Sequence, residues 1–229
     1  MLRPKKKITK RELKEDALVT WYVKLTSFYE KHKKNISIGI TVLALVIIAA
    51  VVFVKNRIDN NERAMVQLGA VHALFDSGQY QAAIDGVPER NIPGLKSIVE
   101  NYGSSTSGEL ARFYLANACY HLGRYDEALN HFEEFSTGDE MLVVSRYAGI
   151  AECYEAKGVY KEAAEYFEKA ATKNSKDINA AENLNNAARN FGLIGDREKA
   201  IELYKRLKKN YPTSVYAREA DRFIMQLSV

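Results

Sequence analysis

Apolar residues follow two different patterns along this chain of 229 residues, and the change between them divides it. From Ile36 to Val54, nineteen residues pass without a charge, and thirteen of them are Ile, Val, Leu or Phe. As a helix rising about 1.5 Å per residue, the run spans about 28 Å, close to the roughly 30 Å of a bilayer's hydrocarbon. Its large apolar residues favour insertion by roughly 4 to 8 kcal/mol. Buried helices of water-soluble proteins rarely pass five turns without a polar position, so the run predicts a single transmembrane helix at 36–54. A cleaved signal sequence would have a shorter apolar core and a small-residue cleavage site after it. Here Lys55-Asn56-Arg57 follows, and the expectation is an uncleaved anchor.

After a short linker at 55–63, the apolar positions return at helical spacing and a phrase recurs. Gly123-Arg-Tyr-Asp-Glu-Ala128 is echoed by Gly158-Val-Tyr-Lys-Glu-Ala163 and Gly195-Asp-Arg-Glu-Lys-Ala200, with Gly78-Gln-Tyr-Gln-Ala-Ala83 as a weaker first copy. The glycines stand 45, 35 and 37 residues apart. The longer first interval holds an insertion with Pro88 and Pro93-Gly94, which break helices. Each glycine should end the first helix of a pair in a left-handed conformation. The tyrosine two residues on should pack on the second helix. The alanine should let the two helices approach, and Phe132, Phe167 and Tyr204 should fill the groove between them. Ala116, Ala151 and Ala188 are the matching small residues of the first helices. Tyr211-Pro212 closes the last unit, and Ser214 to Ser228 reads as an amphipathic capping helix. The expectation is an all-α chain: a transmembrane helix, then a solenoid over 64–229.

Charge sharpens this division. Residues 1–35 hold eleven Lys/Arg against four Asp/Glu, a net of +7, whereas 36–229 carry −3. A basic tail beside an apolar run points to anionic lipid headgroups and not to nucleic acid. Lys24, Lys31, Lys33 and Lys34 crowd the N-terminal side of the run, so the positive-inside rule places residues 1–35 in the cytoplasm. Within that tail, Thr9-Lys10-Arg11-Glu12 fits a capping box. Leu13, Ala17, Trp21, Leu25 and Phe28 follow at helical spacing, flanked by Leu18, Tyr22 and Tyr29. This predicts an amphipathic helix that lies on the inner leaflet or docks on a partner, with Trp21, Tyr22, Lys31, Lys33 and Lys34 at the membrane interface.

The recurring Gly-x-Tyr, Ala and Phe, in register across three units, resemble the tetratricopeptide repeat family, whose period is about 34 residues. The resemblance covers roughly Ala64 to Val229 and implies three to four helix pairs. The concave face of such a solenoid is lined by first-helix positions. In register these are Phe113, Asn117 and Tyr120, then Glu152 and Glu155, then Asn185 and Arg189. Some family members grip a C-terminal carboxylate here with Lys, Asn and Arg. In this chain only Asn117 matches, and Phe113 and Glu182 stand where cations are needed. Exposed Phe113 and Tyr120 beside the acids suit extended or basic polypeptide instead.

Candidate chemistry is sparse. Cys119 and Cys153 have no zinc-type spacing and read as small core residues. His32, His72, His121 and His131 have no ligand partners at metal spacing and read as solvated or capping side chains. Phosphate-loop and nucleophile-elbow motifs are absent. The expectation is a protein that is not an enzyme, with no cofactor and no metal.

The layout as a whole resembles the YfgM family: a short tail, a single span beginning just after Tyr29-Glu-Lys-His-Lys-Lys-Asn35, and a C-terminal repeat domain. That family comprises ancillary subunits of the bacterial Sec translocon. The resemblance implies an inner-membrane protein with a periplasmic repeat domain. Its partners would be translocon subunits, a membrane-anchored periplasmic chaperone of prolyl-isomerase type, and exported polypeptides. Two other readings stay open: a scaffold subunit of another membrane complex, and a cytosol-facing repeat receptor on an organelle membrane.

Overall fold

The computed structural model describes residues 10–228, with side chains described from Val19 onward. The chain divides into two compact units, Met1–Asn56 and Arg57–Val229. Helix α1, Lys10–Asp76, contributes to both.

Between Ile36 and Val54, within the first unit, α1 carries no charge on any side. Its most apolar 18-residue window has a mean hydropathy of 3.0, and none of that window is buried. Ile38, Leu43, Ile48 and Phe53 point in different directions around the helix, and all are exposed. By length and composition this helix is able to cross a membrane. Trp21 and Tyr22 are exposed on it, as are Lys31, Lys33 and Lys34. The expected capping box begins at Thr9, outside the described residues, as do the side chains of Leu13, Ala17 and Leu18. Residues 55–63, expected as a linker, are helical throughout. The segment is polar but holds neither proline nor glycine, so nothing in it stops the helix.

In the second unit α1 becomes amphipathic. Ala64, Leu68, Val71 and Leu74, spaced by three and four residues, are buried. Ahead of them, α2 (Tyr80–Asp85) is short because Gly86 and Pro88 follow it. The insertion folds as two tiny antiparallel strands, β1 (Gly86–Val87) and β2 (Ile92–Pro93), around a 3-10 turn at Pro88–Arg90. Helix α3 (Leu95–Tyr102) follows. The remaining helices are α4 (Thr106–His121), α5 (Tyr125–Glu134), α6 (Glu140–Ala156), α7 (Tyr160–Lys173), α8 (Ala180–Leu193), α9 (Arg197–Asn210) and α10 (Val215–Leu227). From α3 onward each helix packs on the next, so the sequence order is the stacking order.

The repeated glycine is the hinge of each pair. Gly78, Gly123, Gly158 and Gly195 have φ of 74°, 75°, 74° and 81°. Only glycine adopts this left-handed conformation at little cost. In each case the following amide donates to a carbonyl five residues back: Gln79 to Leu74, Arg124 to Cys119, Val159 to Tyr154 and Asp196 to Phe191, at 2.9–3.0 Å. This closes the first helix and turns the chain into the second.

Beyond the hinge the pairs interlock through small and aromatic residues. Ala116, Ala151 and Ala188 of the first helices are fully buried, and so are Ala128, Ala163 and Ala200 of the second. Phe132, Phe167 and Tyr204 are at most 2 % exposed. Each such ring removes enough apolar surface from water to be worth about 1.5–3 kcal/mol. The hinge tyrosines depart from expectation. Tyr125 is half-buried and Tyr160 is 37 % exposed, so they flank the interface and do not fill it. At the C-terminal end, Ser214 accepts a hydrogen bond from the Ala217 amide and starts α10. Ala217 and Ala220 then cover the last repeat, and Phe223 stacks on Tyr204 at 5.2 Å.

Gly149, in the middle of α6, has a different task. A Cβ there would stand 2.4 Å from the Phe132 ring, which is itself 1 % exposed and has nowhere to move. Gly149→Val should therefore overpack the α5–α6 contact and cost about 1–3 kcal/mol. A thermal melt of the full chain in detergent should show the midpoint lowered by several degrees. An unchanged midpoint would mean that the ring is free to shift.

Candidate functional site

The first helices of three successive pairs leave one face free of second-helix packing. On that face lies a recess of about 300 Å³, lined by Phe113 and Asn117 of α4, Glu152 of α6, and Glu182, Asn183 and Asn186 of α8. Gly149 also lines it, so the glycine that admits Phe132 also keeps the recess open.

Its chemistry is acidic and unneutralised. Among the described residues neither Glu152 nor Glu182 has an ion-pair partner. Burial by the surrounding helices raises the Glu152 carboxyl above its ordinary range, and the negative charges of Glu182 and Glu155 add to the shift. Burial, followed by interaction with Glu182, raises the Tyr216 hydroxyl above its ordinary range. Asn183, 4 % exposed, also lines the recess, and its Nδ2 makes no hydrogen bond. Asn117 donates to the Phe113 carbonyl at 2.7 Å, within its own helix.

One turn further along, the acid is paired, although the Oδ1 of the buried Asn190 has no hydrogen-bond partner. Glu155 accepts from Arg189 Nη2 at 2.6 Å and from Asn190 Nδ2 at 2.7 Å. Tyr120 stands near both acids, and burial followed by the charge of Glu152 pushes its hydroxyl up. The expected groove residues therefore divide. Phe113, Asn117 and Glu152 share the open recess, Glu155 and Arg189 neutralise each other, and Asn185 reaches only Asn186, at 3.5 Å.

Three expectations are corrected. Phe113 and Tyr120 are half-buried and not exposed. Phe113 packs against the Phe132 and Phe135 rings at 5.7 and 5.3 Å, so it forms the recess wall as part of the core. Asn185 lies off the recess because the lining of α8 runs through Asn179, Glu182, Asn183 and Asn186, one position out of the assumed register. A signal for that line was available: asparagines at 179, 183, 186 and 190 recur every three or four residues. Nor is His131 solvated. It is half-buried, its Nδ1 has no partner, and burial lowers its pKa. His121 stacks on Tyr80 at 4.5 Å. Cys119 and Cys153 are buried, with thiols pushed up to about 11 and about 12, so neither is a thiolate near neutral pH.

Comparison with known proteins agrees with this architecture. Models described as tetratricopeptide repeat match residues 110–135, 147–178 and 183–214, the pairs α4–α5, α6–α7 and α8–α9. The chain carries tetratricopeptide repeats. Two solved structures of a Podosopora anserina protein, described as a kinesin light chain with nearly identical TPR-like repeats, resemble it with a TM-score of 0.55. They are 17 % and 18 % identical in sequence, cover 72 % of this chain, and are themselves covered over 84 % and 85 % of their length. At that identity the likeness concerns the fold alone. A comparison with curated protein sequences finds no match. The tetratricopeptide repeats make this second unit a protein-interaction module, and the recess lies on the face that such a module leaves free.

Glu152 gives a pH prediction. Its folded-state pKa is raised, so the folded protein binds that proton more tightly than the unfolded chain does. The penalty is thus fully present above the folded pKa and is relieved as pH falls through it. Glu152→Gln should unfold at higher denaturant than the parent at about pH 7. The gap should close toward the ordinary carboxylate range near about pH 4. A variant less stable than the parent at neutral pH would show that the carboxylate is locally compensated.

Proposed function

We propose that this chain is a non-enzymatic interaction protein of the bacterial inner membrane that holds polypeptide along the free face of α4, α6 and α8. The recess carries this reading. It combines an aromatic wall, carboxylates without counter-charge and an amide without a partner, in a groove that holds no nucleophile and base in a catalytic arrangement. Such a surface is suited to a chain that supplies both side chains and backbone groups.

Anchoring is supported by the uninterrupted apolar character of 36–54, every side of which meets solvent, where it would cost the most in water. The basic tail supports a cytoplasmic N-terminus and a periplasmic repeat domain. The finer assignment rests on the likeness of the layout to the YfgM family. On it, the chain is an ancillary subunit of the Sec translocon, working beside a membrane-anchored chaperone of prolyl-isomerase type on exported polypeptides.

A reporter active only outside the cytoplasm, fused after Val229, should be active, and activity of a cytoplasm-only reporter there would favour the receptor reading. Photoreactive residues at positions 117 and 152, introduced into the full chain in intact membranes, should trap translocon subunits, a chaperone or exported chains. Both positions line the recess without belonging to the aromatic core. If they trap nothing, and the protein purifies with an unrelated complex, the repeats serve as a bracket and the translocon role is wrong.

A further inference from the structure

The two zones of the groove differ in a way that specifies a ligand. Around Glu155, the charge is cancelled by Arg189 and the Asn190 NH2 group is in use, while the Asn190 Oδ1 has no partner. One turn away, Glu152 and Glu182 line the same recess with no ion pair among the described residues, and burial together with the charge of Glu182 works against the charged form of Glu152. A protein gains nothing in stability from such a pair, and a basic side chain at either position would remove the conflict.

The second observation is independent of charge. Asn183 is almost completely buried, lines the recess, and leaves an amide N–H unsatisfied. A buried donor without a partner is costly, and an acceptor would relieve it. The carboxylates ask for a cation and the amide asks for an acceptor. A metal ion supplies no acceptor for the amide, and a free anion would be repelled by the two glutamates. One residue of an extended polypeptide supplies both groups: a cationic side chain and, beside it, a backbone carbonyl. The half-buried Phe113 ring offers an apolar wall for the methylene stem of such a side chain.

We propose that this recess is a specificity pocket for a lysine or arginine side chain of the bound polypeptide. The cation lies between Glu152 and Glu182, and the backbone carbonyl of the same segment accepts from Asn183. This rests on the reading that the groove holds polypeptide, and it adds what that polypeptide must contain.

The test uses the full chain in detergent and fluorescent peptide libraries with a fixed central lysine, arginine, norleucine or glutamate in randomised flanks. Lysine and arginine libraries should bind about tenfold or more tightly than norleucine, as expected for charged hydrogen bonds, and glutamate should bind least. Glu152→Gln with Glu182→Gln should abolish the preference while the residual norleucine binding stays. Glu152→Lys with Glu182→Lys should transfer the preference to glutamate, a result that a merely misfolded groove cannot give. Asn183→Leu should weaken all four libraries alike without lowering the melting temperature, because it removes an unsatisfied donor. Equal binding of lysine and norleucine by the parent chain would overturn the pocket but leave the polypeptide reading standing. Binding of no library, together with no crosslink from positions 117 and 152, would overturn both.

Discussion

Two helices can lie close only where something small separates them, and in this protein that place is a buried alanine on each side of the crossing. Ala116 and Ala128, Ala151 and Ala163, and Ala188 and Ala200 are fully buried in successive pairs. With no long side chain to hold the axes apart, the neighbouring rings of Phe132, Phe167 and Tyr204 reach across and leave no void. The glycine hinge then fixes the direction in which the second helix returns, with the same five-residue back-bond at all four positions. Close approach, filled groove and fixed return repeat along the unit. The stack therefore needs no long-range strand pairing to define it.

This arrangement consumes the second helix of each pair and one side of the first. What remains is the other side of α4, α6 and α8, and the groove follows from that remainder. The ends need separate treatment, because the terminal repeat would expose its alanines and rings to water. At the C-terminal end α10 covers them with Ala217, Ala220 and Phe223. At the N-terminal end of the unit, the last turns of α1 play the first-helix role, burying Ala64, Leu68, Val71 and Leu74. One helix therefore carries two surfaces. Its apolar residues have no preferred side between Ile36 and Val54, where the helix is able by length and composition to cross a membrane, and form a single stripe from Ala64 onward, where it packs on one side.

The repeat grammar was legible in the sequence because each word of it answers a local requirement. A glycine is needed where φ is positive, an alanine where helices touch, and a ring where a groove must be filled. These requirements act within about one turn and leave their mark at fixed offsets. The linker at 55–63 was misread because polarity is not a helix stop, and only proline or glycine would have been. The groove was legible only in part. Phe113, Asn117 and Glu152 were expected in the groove and line one recess, whereas Asn183 was not named, because whether a polar residue is buried without a partner depends on neighbours from other helices. The exposure of Phe113 and Tyr120 was misjudged for a similar reason. A ring on the free face of a helix can still lean into the core when its neighbours are rings, as Phe132 and Phe135 are.

The distribution of charge in the groove separates structure from function more sharply than its shape does. Glu155 with Arg189 is an ordinary half-exposed ion pair, and pairs of that kind contribute at most about 1 kcal/mol. Folding alone gives no reason for the next turn to carry two acids and an idle buried amide, since glutamine and leucine would fit there with less conflict. Two carboxylates without an ion pair in one recess, beside a paired carboxylate a turn away, support the proposal that the partner comes from outside the chain. On that proposal, a bound residue would gain both from its own contacts and from pairing groups that have no partner within the chain. Affinity bought in this way depends on what the ligand carries and not on how much surface it covers, which lets a shallow groove discriminate between chains of similar shape.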